Sequence, residues 1–104
     1  MTDFEKEGKK LLDTIAEELK SIRELDAMYE YLQDVYDIEY RVDCHKRYRS
    51  VRLTVACGGP NIYVDTQSCK VVLYWGQIEA YAPLTLDAIE LIDHACEEMW
   101  GECW

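Results

Sequence analysis

Cysteine and histidine are the residues of this chain best suited to covalent or metal chemistry: Cys44, Cys57, Cys69, Cys96 and Cys103, with His45 and His94. Their spacing does not organise them. No CxxC or HxxxH pair occurs, Cys44-His45 is a bare neighbour pair, and Cys96 with Cys103 at i and i+7 fits a buried helix face rather than a zinc site. Cys57 precedes Gly58-Gly59, where an exposed thiol beside an anion-binding turn would need a base such as His94. It shares parity with the apolar Val51, Leu53 and Val55, however, and is expected inside. The turn Gly58-Gly59-Pro60-Asn61 lacks the lysine and following helix of a phosphate loop. The chain therefore reads as a non-enzyme with no cofactor or metal site. An odd number of unpatterned cysteines fits reduced thiols, and the chain is expected in the cytoplasm. It has no apolar run approaching ~18 residues and no basic-then-apolar leader at Met1.

Carboxylates are the chemistry the chain has in excess. Its 104 residues carry 21 acids against 11 bases, a net charge of −10, which disfavours phosphate backbones and anionic membranes and favours cationic partners. The excess is uneven. Residues 1–43 hold 13 acids and 6 bases, 44–76 hold 1 acid and 5 bases, and 77–104 hold 7 acids and no base. Asp26, Glu30, Asp34 and Asp37 fall at i, i+4, i+8 and i+11, one helical stripe with carboxylates roughly 6 Å apart along the axis. Glu90, Asp93 and Glu97 form a second stripe, and of the seven carboxylates only Asp37 has a lysine or arginine at i+4, Arg41. In sign and spacing such stripes resemble a phosphate ladder and fit the basic groove of a nucleic-acid-binding protein, with Tyr29 and Tyr36 as neighbouring contacts. The plainer alternative is the solvated acidic face of any soluble protein.

The elements that position these residues follow from periodicity. Leu12, Ile15, Leu19 and Ile22, then Leu25, Met28 or Tyr29, Leu32 and Val35 or Tyr36, keep helical spacing from Asp3 to about Asp37. One helix of that length would run about 50 Å, against a radius of gyration near 13 Å for a domain this size. It must project or break, and Ser21-Ile22-Arg23-Glu24 has the capping-box form of a break into two helices.

Ile38, Tyr40 and Val42 alternate as a first strand, with a turn over Asp43 to Arg47. Tyr48 to Gly76 holds further alternating runs around Val51–Cys57, Ile62–Val64 and Lys70–Trp75. Together they make an antiparallel meander of about four strands, with Ile78 to Ala82 as a short extension. Thr85 caps a last helix in which Leu86, Ile89, Ile92, Cys96 and Met99 line one face and Gly101 ends the run. The whole of 1–104 is expected to be a single α+β domain with the helices on one face of the sheet.

If Val51, Leu53, Ile62, Val64, Leu73 and Trp75 face the helices, then Tyr48, Arg52, Thr54, Tyr63 and Tyr74 face away. Such a face can stack unpaired bases, which the net charge opposes, or serve as a protein-binding surface.

The run GGPNIYVDT, then VLYWG, then a proline and an acidic helix ending at Glu97-Glu98-Met99-Trp100, resembles a block in small acidic proteins carried by mobile elements of gut Firmicutes. The likeness spans roughly Val51 to Trp100 and assigns no catalytic residue. Such elements carry anti-restriction and anti-CRISPR proteins, several of them acidic DNA mimics. The resemblance therefore implies an inhibitor that blocks the nucleic-acid-binding site of a defence nuclease such as a CRISPR effector or restriction enzyme. The alternative is an interaction module using the Tyr48, Arg52, Tyr63 and Tyr74 face. A homodimer is compatible with either.

Overall fold

The computed structural model describes residues 3–102. Helices α1 (Asp3–Ser21) and α2 (Leu25–Gln33) lead into strands β1 (Asp37–Val42), β2 (Tyr48–Ala56), β3 (Asn61–Asp65), β4 (Lys70–Trp75) and β5 (Ile78–Pro83), and α3 (Leu86–Glu102) follows. The strands pair antiparallel in the order β1-β2-β3-β4-β5. This is the expected α+β meander with five strands rather than four, since Ile78–Pro83 pairs with β4 along its whole length.

The helical run breaks where the long pattern demanded it, but not through the expected capping box. Ser21 is the last residue of α1, and its hydroxyl donates back to the Glu18 carbonyl at 2.6 Å. Glu24, extended at φ −124° and ψ 149°, begins α2 without a side-chain cap. The break lets α1 lie on β4 and β5 while α2 lies against α3, which itself packs on β2. All three helices thus share one side of the sheet. Between the layers sits a core of Leu12 and Leu19 from α1, Met28 and Leu32 from α2, alternate strand residues Val51, Leu53, Ile62, Val64, Val71 and Leu73, and Ala88, Ile92, Ala95 and Cys96 from α3. At α3 the Thr85 hydroxyl accepts the Ala88 N–H at 3.2 Å, the expected cap.

Two expectations at α3 are corrected. Leu86 is 68% exposed, because it occupies the first turn beyond the sheet. Gly101 lies inside the helix, where its absent side chain costs little in a final exposed turn.

Irregularities in β2 decide which side chains reach which face. The pairing of β1 with β2 shifts between Arg41 and Val42, so that Arg41 opposes Ser50 and Val42 opposes Tyr48. That bulge spends Arg49 and swings Tyr48 onto the helix side. A second shift, between Thr54 and Ala56, ends the ladder with Ala56 opposite Ile62. Cys57 then falls beyond the strand and is exposed, not packed inside as its parity implied.

Candidate functional site

Of the first acidic stripe, only Asp26 and Glu30 stand on α2 as an exposed i, i+4 pair. Helix α2 ends at Gln33. Asp34 is its C-cap, its N–H bonded to the Tyr31 carbonyl at 3.1 Å, and Asp37 opens β1 opposite Thr54. The four-carboxylate stripe is thus corrected to a pair, because the chain must turn from helix to strand within three residues. Tyr36, 69% exposed, sits in that turn and ties its N–H to the Thr54 carbonyl at 2.8 Å.

The second stripe keeps its helix, but its members differ. Glu90 and Glu97 are exposed, whereas Asp93 is half-buried and accepts the Tyr48 hydroxyl at 2.6 Å. Burial, and then this bond, push the Tyr48 hydroxyl's pKa far up, so it stays a donor. Tyr48 is therefore a pillar between sheet and helix and not a residue of the open face.

Glu98, outside both expected stripes, joins α3 to α2. It accepts the Tyr29 hydroxyl, and its other oxygen meets His94 Nε2 at 3.1 Å. The Tyr29 bond is the largest influence on each partner, lowering the Glu98 pKa and pushing Tyr29 up to about 12. Tyr29 is consequently a cross-helix strut as well as an edge of the acidic surface.

Helices α2 and α3 together contain no lysine or arginine. The last turns of α3 carry Glu97, Glu98 and Glu102 with no base, against the preference of a helix C-terminus for positive charge. Among the described residues Glu98 has hydrogen-bond partners there, Tyr29 and His94.

On the other side of the sheet no helix packs among the described residues, and Arg52, Tyr63 and Tyr74 stand together as expected. The Arg52 guanidinium carbon lies 4.6 Å from the Tyr63 ring centre while its Nη2 meets Glu39 at 2.8 Å. The Tyr63 and Tyr74 rings are 6.1 Å apart. Two neighbours widen this face. Tyr81 is 63% exposed with the Lys70 ammonium 4.4 Å above its ring, and Val72 lies between Tyr63 and Tyr81 in register. Val72 lies on the expected strand β4, whereas Tyr81 lies on β5, expected only as a short extension. Arg41 completes the face by reaching across Ser50 to grip Asp65 with two bonds of 2.9 and 2.8 Å.

Cys44, Cys57 and Cys69 are exposed. Cys96 is buried, its thiol pushed up to about 12 by desolvation, and Cys103 lies outside the described residues. His94, the base considered for Cys57, is instead engaged with Glu98. Among the described residues no group of three metal-ligating side chains converges, and no helix is long and apolar enough to cross a membrane. Compared with known families, curated proteins and solved structures, the chain has no significant match.

Proposed function

We propose that this protein is a non-catalytic inhibitor whose acidic helical side occupies the nucleic-acid-binding surface of a basic protein, a defence nuclease of the CRISPR-effector or restriction type being the target class. The observation that carries this reading is the α2–α3 pair, two adjoining helices without one lysine or arginine, acidic even where the helix dipole disfavours it. Its contact charges are Asp26, Glu30, Glu90 and Glu97, with Tyr29 and Tyr36 at the margins. Asp34 and Asp37 extend it toward the β1 edge, and Asp93 contributes from its bond to Tyr48. Carboxylates at this density attract arginine and lysine over a Debye length of about 8 Å at physiological salt, so inhibition weakens as salt rises. The resemblance of the GGPNIYVDT and VLYWG runs to small acidic proteins of mobile elements supports the same target class.

The test is a cleavage assay with a panel of Cas9-type and restriction nucleases at low and raised salt. Near-stoichiometric, salt-sensitive inhibition is expected. Changing Asp26, Glu30, Glu90 and Glu97 together to lysine abolishes it. Undiminished inhibition by that folded variant would overturn the reading.

A second reading is favoured by the juxtaposition of Arg52, Tyr63, Tyr74 and Tyr81 on a sheet face without a covering layer. There the protein is an interaction module of a mobile element, and aromatic anchors with an arginine supply the contact. Tyr63→Ala with Tyr74→Ala separates the two. It removes partner binding in the second reading and leaves nuclease inhibition intact in the first.

A further inference from the structure

The two edges of the sheet are not alike. Strand β1 sets the charged Asp37, Glu39 and Arg41 on the open face and lies beside the bulge that Arg49 makes in β2, devices that discourage strand addition. The β5 edge has no bulge along its six residues.

Its backbone directions follow from the turn. Gly76, at φ 61°, and Gln77 form a two-residue hairpin closed by the pair Trp75 and Ile78. In an antiparallel ladder the bonded pairs alternate, so Ile78, Ala80 and Ala82 direct their N–H and C=O groups to β4. The Leu84 N–H bond to the Cys69 carbonyl, 3.0 Å, continues that parity. Glu79 and Tyr81 therefore direct theirs outward, and among the described residues no strand lies beyond them. Pro83 shares the outward parity, so its missing N–H subtracts nothing from the ladder and marks where outward pairing stops.

We infer that this edge pairs with the β5 edge of a second copy, antiparallel about a two-fold axis at Ala80, to make one continuous sheet across two chains. In that register Glu79 faces the partner copy's Tyr81, and each such pair exchanges both backbone bonds. The side chains are complementary. The Lys70 ammonium already sits on the Tyr81 ring, so the incoming carboxylate of the other copy's Glu79 arrives beside a cation. On the helix side the axis brings the small Ala80 of each copy together, with each copy's α1 lying over its own β5.

Charge permits the contact despite the net −10. The helix on β4 and β5 is α1, which partly offsets its acids with Lys6, Lys9, Lys10 and Lys20, while the base-free α2–α3 pair lies toward β2. This inference is independent of the inhibitor reading.

Sedimentation velocity from low to several hundred micromolar tests it, with amide exchange on the same samples. The expected result is a species of two chains in which the Glu79 and Tyr81 amides slow as concentration rises, while the Ala80 amide is slow throughout. Glu79→Lys weakens association about tenfold, and adding Lys70→Glu restores it by exchanging the two charges. Glu79→Pro removes an outward N–H without touching the ladder and abolishes pairing. If it fails to fold, Glu79→Lys carries the test. A chain that stays single at every concentration, or a dimer whose Glu79 and Tyr81 amides exchange as fast as in the single chain, would overturn the inference.

Discussion

The Tyr48 hydroxyl donates to Asp93 at 2.6 Å, and that one bond fastens the bulged end of β2 to the middle of α3. The Tyr48 ring meets Tyr40 edge-on at 6.5 Å, and Tyr40 in turn lies 5.2 Å from Trp100, so the bond anchors an aromatic row under the last helix. Trp100 closes the row by donating to the Lys46 carbonyl at 2.8 Å.

Replacing Tyr48 by Phe leaves a half-buried carboxylate without its donor. It is expected to lower unfolding free energy by about 1–2 kcal/mol in urea denaturation. Asp93→Lys costs more, because it sets an ammonium where the hydroxyl points. Loss of function in that variant would therefore report misfolding of the α3–β2 junction rather than loss of a contact charge.

Arg41 and Asp65 make the sheet's most complete ion pair, spanning β1 to β3 across Ser50. Burial raises the Asp65 pKa, but the Arg41 fork and the N–H groups of Ser68 and Gln67 outweigh it and hold the carboxyl below its usual value. A carboxyl depressed in the folded state stabilises above its unfolded pKa, near 4, and that contribution fades as pH falls through the folded value. Asp65→Asn keeps the turn's acceptor oxygen and loses the charge. It should cost about 1–3 kcal/mol at pH 7, a gap that narrows below about pH 4 and closes at lower pH, read from urea midpoints across pH.

What the sequence made legible was periodicity: two helices from one long pattern, alternating strands, a capped last helix. What it hid were one-residue events. The bulge at Arg49 reversed Tyr48, and the shift near Val55 put Cys57 outside. No local residue signal announces either, because a bulge is fixed by the pairing partner and not by the strand's own alternation. The acidic stripe failed differently. Helical spacing from Asp26 to Asp37 is real in the sequence, but Ile38, Tyr40 and the paired Thr54 favour strand from Asp37 on, and tertiary pairing prevailed. Arg52 and Tyr63 were placed correctly because their stretch of β2 and β3 pairs without a shift.

Gly8 offers a test of how closely α1 lies on the sheet. It is buried within the helix, and a Cβ there would stand 3.4 Å from Leu73 Cδ2 and 3.9 Å from the Trp75 ring, ordinary contact rather than collision. Helical glycine costs about 1 kcal/mol relative to alanine, chiefly through chain entropy. Gly8→Ala should therefore stabilise the fold by roughly 0.5–1 kcal/mol, raising Tm by several degrees in a thermal melt. The larger Gly8→Leu must push Leu73 aside or lift α1 from β4, and is expected to lower Tm. Equal destabilisation by both variants would mean that α1 approaches β4 more tightly than these distances allow. Stabilisation by Ala with loss by Leu would place the helix at the separation described, with just enough space for one methyl group.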